Sequence, residues 1–295
     1  MPGSQKVLPE QIFGILGHPL AHSMSPVLHT WAFALNGLHG RYTAWDTLPE
    51  TLPAFMETFR KIPYAGASVT IPHKETVIPF LDGLTDTART IGAANTLFWK
   101  NGRLMGHNTD MEGFLAPLAG CAAPQTALVL GAGGAARAVL AGLASVGTTR
   151  VIIAARSLAR AEELAAAFSS AIAAIAVIPW EERLYVSPES GSRFWAVNTT
   201  PLGMRGKNRN ISPLPAEWFA GRTPEHCLAY DLVYNPLETA FLALAKQARW
   251  QCRDGLGMFT AQAAAQFHLW TGCAMPVPQA RELLVHTLAA HSPAP

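Results

Sequence analysis

Charge is scarce in this 295-residue chain. Asp, Glu, Lys and Arg make up 14% of it, against about 25% in ordinary soluble domains. The net charge of +2 is too small to drive electrostatic binding of nucleic acid or an anionic membrane, so neither is expected as a partner. Cysteine is also rare. Cys121, Cys227, Cys252 and Cys273 are scattered without CxxC spacing, which argues against zinc ribbons and thioredoxin chemistry and fits a reducing, cytoplasmic setting. A long apolar run is missing. The longest, LAAAFSSAIAAIAVI at 164–178, contains serines and falls short of the roughly 20 residues a membrane span needs. It reads instead as a helix end, a turn and a buried strand. MPGSQKVLPEQ at the N-terminus has no apolar core for a signal peptide. Internal repeats, low-complexity linkers and a helical HxxxH are absent, and no metal is expected. What the chain has in quantity is apolar side chain, 49% of residues. That composition, at a length sufficient for two domains, suits an enzyme with large buried layers.

Strand and helix signals alternate through the first third. QIFGILG (11–17), RYTAWDT (41–47) and GASVTI (66–71) read as strands. Between the first two, SPVLHTWAFALNG predicts a helix with Ser25 as N-cap, Pro26 in the first helical position and a stop at Asn36-Gly37. Asn101-Gly102 is a two-residue hairpin signal. Counting outward pairs Lys100 with Arg103 and Trp99 with Leu104, and places Asn95 and Asp110 at the open end of the hairpin. In the middle third, TALVLG (126–131), RVIIAA (150–155), AIAVI, FWAVNTT and CLAYDLV read as strands with helices interposed, which argues for a parallel, doubly wound sheet. From about Gly255 the chain reads as helical. A domain boundary is expected at 110–120, beside a helix starting at Thr109-Asp110.

LVLGAGGAAR carries a GxGxxA pattern directly after a strand. Gly131 permits the tight turn, Gly133 lets a pyrophosphate approach the backbone, and Ala136 allows close helix–strand packing. A purely structural turn is the alternative. The next strand selects the cofactor. An NAD site places Asp or Glu at its end, whereas here the chain reads AARSLAR. Arg156, with Ser157 beside it and Arg160 a turn further on, can grip a 2′-phosphate. NADP is therefore expected over NAD, unless these arginines are ordinary surface charge.

A second polar set lies in the first third. Ser23 and Ser25 are two apart in HSMSP, so in an extended segment their hydroxyls face one way, a seat for a carboxylate unless Ser25 only caps its helix. Thr70, Lys74, Asn95 and Asp110 all fall at or just beyond strand ends, where open α/β sheets bind ligands. A lysine can exchange the proton of a reacting alcohol while a carboxylate orients it; a structural ion pair is the bland reading of the same two residues.

Taken in order, GHPLAHSMSP, SVTIPHKE, GAANTL, GHNTD, GAGGAAR, ARSLAR, NTTPLGM, YDLVYNP and DGLGMFTAQAAAQF closely resemble the shikimate dehydrogenase family along nearly the whole chain. The resemblance implies an α/β protein of two domains: an N-terminal α/β substrate domain (1–112) and a Rossmann-like doubly wound NADP domain (113–255), with C-terminal helices (256–295) returning to the first. It implies NADPH-dependent reduction of 3-dehydroshikimate to shikimate, on the route to chorismate and aromatic amino acids. Lys74 would be the catalytic lysine and Asp110 its partner. Ser23, Ser25 and Tyr234 would hold the substrate carboxylate, with Thr70, Asn95 and Gln262 on the ring hydroxyls. For the cofactor it implies Gly131, Ala132, Gly133, Gly134 and Ala135 around the phosphates, and Arg156, Ser157 and Arg160 at the 2′-phosphate. Thr199, Leu232, Gly255 and Met258 would line the nicotinamide side, with Asp86 a further cofactor contact.

Three positions depart from the family's usual pattern: Ser68 stands where asparagine is common, His107 where aspartate is common, and Ala155 before Arg156 where asparagine is common. The last weakens the case for strict NADP selectivity. A quinate/shikimate dehydrogenase is the nearest alternative, although two serines would crowd quinate's extra hydroxyl. A catalytically silent NADP-binding regulator would be expected to lose Lys74 or Asp110. The tetrahydrofolate dehydrogenase type does not account for the serine pair. Both a monomer and a homodimer are compatible with the sequence.

Overall fold

The structure is a computed structural model that describes residues 10–187, 191–206, 208–220 and 224–290. Most of the N-terminal stretch read for a signal peptide lies outside these residues. Two compact units are present. The first runs up to Thr109 and includes Ala263–Leu284; the second comprises Asp110–Gln262 and the residues from Val285 onward.

The first unit is built from β1 (Gln11–Gly17), α1 (Ser25–Leu35), β2 (Gly40–Asp46), α2 (Leu52–Lys61), β3 (Tyr64–Val69), α3 (His73–Thr76), β4 (Gly83–Leu84), α4 (Asp86–Ile91), β5 (Thr96–Lys100) and β6 (Arg103–His107). Its sheet has the order β2-β1-β3-β5-β6-β4. Strands β1, β2 and β3 are parallel, and β5 runs antiparallel to both β3 and β6. The hairpin register is the one counted from the turn, with Lys100 opposite Arg103 and Trp99 opposite Leu104. Asn101 and Gly102 both adopt positive φ, at 52° and 73°, as a type I′ turn requires.

Each face of this sheet is covered for a readable reason. Helix α2 places Leu52, Met56 and Phe59 on one stripe, and these pack with Leu16, Val69, Leu97 and Leu104. Truncating a ring as buried as Phe59 costs roughly 3–5 kcal/mol. On the other side, Phe13, His29, Phe33, Tyr42, Phe267 and Trp270 form a contiguous aromatic group. Phe267 and Trp270 lie in the Ala263–Leu284 stretch of the first unit. Trp270 Nε1 donates to the Leu97 carbonyl at 3.0 Å.

The second unit contains α5 (Asp110–Leu115), β7 (Thr126–Leu130), α6 (Gly134–Ser145), β8 (Arg150–Ala155), α7 (Leu158–Phe168), β9 (Ala174–Pro179), β10 (Phe194–Asn198), α8 (Ala216–Phe219), β11 (Cys227–Asp231), α9 (Ala240–Gln247) and β12 (Gln251–Arg253). Two further helices, α10 (Gly255–Thr271) and α11 (Val277–Ala290), complete the described chain. All neighbours in the order β12-β11-β10-β7-β8-β9 are parallel. The order steps outward one way from β7 through β8 and β9, then the other way from β10. This is the doubly wound arrangement, with its switch point between β7 and β10. β7, β10 and β11 are buried at every residue, which is why they read as unbroken apolar runs rather than alternating ones.

Several local expectations change. Ser25 is not the N-cap. Met24 already has helical dihedrals (φ −89°, ψ −1°), and Ser25 opens the helix without a side-chain cap. The Ser23–Ser25 segment is therefore not extended. The strand expected to reach residue 71 ends at Val69, because the chain turns at Pro72 and His73 N–H donates back to the Thr70 carbonyl. β9 is not a buried strand: it lies at the sheet edge with only partial burial. The two-residue β4 and three-residue β12 were not anticipated, being too short to carry a periodic signal.

Candidate functional site

In the second unit the glycine turn sits at the switch point. Gly131 has φ +112°, and a Cβ there would meet Thr199 Oγ1 at 2.7 Å, so both the backbone conformation and the space demand glycine. Thr199 is held on the turn by its own backbone N–H and hydroxyl, which donate to the Leu130 carbonyl at 3.0 and 2.7 Å. Gly133 is the N-cap of α6. It supplies no side-chain cap, a Cβ on it would meet nothing within 4 Å, and the first helical turn has no acidic residue. The residues fit a dinucleotide phosphate: an open approach, with Gly134 and Ala135 presenting the N–H groups of a helix start. Ala132 lies in the same turn. Past the end of β8, Arg156, Ser157 and Arg160 are all exposed, and Ser157 Oγ caps α7 by accepting from Arg160 N–H.

The same unit carries six other anticipated residues. Leu232 follows β11, and its N–H donates to the Asn198 carbonyl at 3.0 Å. The Tyr234 ring stacks on Phe259, with centroids 4.4 Å apart. Gly255 and Met258 are buried in the first turns of α10. Gln262 lies one turn further on, and Asp110 starts α5 and is buried. α5 and α10 approach so closely that a Cβ on Gly113 would meet Gln262 Cβ at 2.7 Å.

In the first unit three anticipated residues are gathered by backbone hydrogen bonds. Val69 N–H donates to the Asn95 carbonyl at 2.7 Å, Ala94 N–H to the Lys74 carbonyl at 2.7 Å, and Thr70 N–H to the Leu16 carbonyl at 2.8 Å. Thr70 and Lys74 are partly exposed while Asn95 is buried. His73, not singled out in the sequence, fixes the short α3. It is fully buried, and its Nε2 lies 2.7 Å from the Thr47 carbonyl. A carbonyl only accepts, so Nε2 carries the proton. Ser23 and Ser25 are linked by Ser25 N–H donating to Ser23 Oγ at 3.4 Å. Asp86 is exposed at the first residue of α4, whose N-cap is Thr85. His18 pairs with Asp46 at 2.7 Å.

Beneath this rim runs a polar chain that sequence reasoning missed. Tyr42 OH donates to Ser68 Oγ at 2.7 Å, and Ser68 OH to Gln266 Oε1 at 2.7 Å. Gln266 Nε2 donates to the Asn95 carbonyl and to Thr96 Oγ1 at 2.9 and 3.0 Å. The Asn95 side chain is then fixed by Thr96 OH and Thr109 N–H, both donating to its Oδ1, at 2.7 and 2.9 Å. Serine at position 68 is thus short enough for both Tyr42 and Gln266 to reach its hydroxyl. His29 stacks on Tyr42 at 4.5 Å, and burial pushes its imidazole down to about 3. The signal available in the sequence was a glutamine amid alanines in an apolar helix, AAAQF.

Comparison with known proteins bears on all of these segments. Three family models match: a shikimate dehydrogenase substrate binding domain over residues 15–97, a shikimate/quinate 5-dehydrogenase over 117–184, and a shikimate 5′-dehydrogenase C-terminal domain over 255–285. The shikimate dehydrogenase (NADP(+)) of Oleidesulfovibrio alaskensis is 47% identical over 284 residues, covering 96% of this chain and 98% of that one. A crystal structure of a shikimate dehydrogenase in complex with NADP+ superposes with TM-score 0.83 at 32% identity, covering 95% and 96% of the two chains. The Thermus thermophilus enzyme in complex with NADP(H) and shikimate gives 0.78 at 39% identity, covering 94% and 99%.

Proposed function

The chain belongs to the shikimate dehydrogenase family, and from that premise we propose that it catalyses the reversible NADPH-dependent reduction of 3-dehydroshikimate to shikimate, the step that serves chorismate and aromatic amino acid synthesis. The observation that carries this reading is the near-full-length identity to a curated NADP(+)-dependent shikimate dehydrogenase. The bound cofactor supplies a hydride for the carbonyl carbon. The remaining work falls to the protein. The turn from Gly131 to Ala135 seats the phosphates, and Arg156 and Arg160 take the 2′-phosphate. Ser23, Ser25 and Tyr234 bind the substrate carboxylate, and Thr70, Asn95 and Gln262 its ring hydroxyls. Lys74 donates the proton that turns the carbonyl oxygen into a hydroxyl, and Asp110 orients that exchange. General acid–base help of this kind is worth about 10²–10⁴-fold in rate.

Among the described residues no helix is long and apolar enough to cross a membrane. Four free cysteines support a cytoplasmic location. Quinate oxidation is the second reading, favoured by the family model that covers both activities and opposed by the serine pair. The deciding experiment measures 3-dehydroshikimate reduction and quinate oxidation, each with both nicotinamide cofactors. Rapid turnover of 3-dehydroshikimate with NADPH is expected. Binding of NADPH with no turnover of either substrate would reduce the protein to a silent NADP binder.

A further inference from the structure

Asp231 ends β11 with no exposed surface, and nothing in the proposed chemistry uses it. A carboxylate this deep is costly unless its oxygens are satisfied, and here both are. Oδ1 accepts from Asn198 Nδ2 at 2.9 Å and from Val233 N–H at 3.0 Å, and Oδ2 accepts from the Thr239 hydroxyl at 2.6 Å. These partners are themselves committed. Asn198 Nδ2 also donates to the Leu202 carbonyl at 3.0 Å, and Asn198 Oδ1 accepts from Thr200 N–H and hydroxyl at 3.1 and 2.7 Å. Thr239 Oγ1 is the N-cap of α9 and accepts from Leu242 N–H at 3.3 Å. One carboxylate therefore fixes the turn after β10, the chain leaving β11 and the start of α9.

Those first two pieces carry Thr199 and Leu232. Thr199 is bonded to the carbonyl that precedes the glycine turn, and Leu232 to the carbonyl of Asn198. They stand at the carboxyl ends of β10 and β11, next to the switch point. We propose that Asp231 is a positioning residue for hydride transfer: through Asn198 and Val233 it sets the backbone at Thr199 and Leu232, the wall against which the nicotinamide end of the cofactor lies, without touching the cofactor itself. This inference rests on the NADPH-dependent reading above.

The side-chain chemistry separates the variants. Asp231→Ala removes both acceptors. Asp231→Asn keeps a carbonyl oxygen for Asn198 and Val233, while its amide can donate to Thr239 Oγ1. Asn198→Ala breaks the link to the Thr199 turn from the other side, and carries the test if Asp231→Ala does not fold. The readouts are kcat with NADPH and, by calorimetry, the Kd of adenosine 2′,5′-bisphosphate, which lacks a nicotinamide. Asp231→Ala and Asn198→Ala are expected to lower kcat about 10–100-fold, well within what misplacement of a reacting group costs, with the bisphosphate Kd unchanged within about twofold. Asp231→Asn is expected to recover kcat to within about threefold of the parent. Unchanged kcat in the two alanine variants alongside a lowered unfolding midpoint would overturn the inference, as would bisphosphate affinity falling in step with kcat. Failure of the parent protein to bind the bisphosphate would instead overturn the NADP reading beneath it.

Discussion

Both units bury a hydrogen-bonded polar system beneath their strand ends, and the two systems are chemically unlike. In the first, Tyr42, Ser68, Gln266, Thr96 and Asn95 join hydroxyls and amides. Gln266 accepts at one end of its amide and donates at the other, so the direction of the chain is fixed without a charge. In the second, a carboxylate collects three donors. A neutral network holds its geometry across a wide pH range, whereas a carboxylate network holds it only in the protonation state its donors suit. The units also differ in what they leave at the surface: a lysine rim in the first, an open glycine turn and exposed arginines in the second.

The largest expected effect separates chemistry from cofactor binding. Lys74→Ala should lower kcat by about 10²–10⁴-fold while leaving the KM for NADPH in the parent range. Arg156→Ala, in the other unit, should do the reverse. It should reduce the NADPH-to-NADH ratio of kcat/KM by about 10–100-fold, since one charge-assisted contact is lost, and leave kcat with NADH intact. Steady-state kinetics with both cofactors reads both variants. A Lys74→Ala enzyme with normal kcat, or an Arg156→Ala enzyme with an unchanged ratio, would erase the division of labour.

Legibility in the sequence follows the same line. The second unit announced itself because β7, β10 and β11 are buried as unbroken apolar runs, and because the backbone and the space at Gly131 admit only glycine. In the first unit the hairpin register was readable from Asn101-Gly102, since that turn type admits few residues. The polar chain was not readable. Ser68 and Gln266 lie 198 positions apart in sequence and meet at 2.7 Å, and no local pattern encodes such a contact. The strand end at Val69 and the helix start at Ser25 were misplaced by one or two residues, where a turn at a proline competed with periodicity. Asp231 left a trace that went unused: an acid closing an otherwise apolar strand, CLAYD.

Intermediate in size is a pH effect of opposite sign in the two units. Burial holds His29 down to about 3 from an ordinary 6.5, so the folded protein keeps it neutral. Below pH 6.5 the unfolded chain binds the extra proton, and stability is lost toward acid at up to about 1.4 kcal/mol per pH unit until the folded value is reached. Asp231 behaves inversely. Burial pushes its carboxyl up to about 7 from 3.8, against the pull of Thr239, Val233 and Asn198. The folded state then binds the extra proton between those values, and stability from this group is lost as pH rises from about 4 to 7. Across the shared window the two slopes oppose each other, so global unfolding should look flatter than either alone. Hydrogen exchange resolved to β2 and to β10 should separate them. His29→Phe, which fills the same aromatic site without ring nitrogens, should remove the acid loss in the first unit. An unaltered exchange profile at β2 in that variant would take His29 out of the acid response.

The smallest contrast concerns two helix caps. Thr85 Oγ1 accepts from Ala88 N–H at 3.3 Å and lies 2.8 Å from His107 Nδ1. The hydroxyl keeps a second lone pair as well as its hydrogen, so it can pair with either tautomer of His107, and partial burial favours the neutral ring by lowering its affinity for a proton. Ser157 caps α7 with a single longer bond of 3.5 Å at an exposed position. Losing a hydroxyl cap costs about 0.5–2 kcal/mol. Thr85→Ala should fall toward the upper end, because it also strands His107 Nδ1 in a half-buried site, and Ser157→Ala toward the lower. His107→Asn in the Thr85→Ala background should recover nothing if the stranded nitrogen is the source of the difference, since an amide there meets the same missing hydroxyl. Equal shifts in the unfolding midpoint for the two alanine variants would show that His107 adds nothing to the cap.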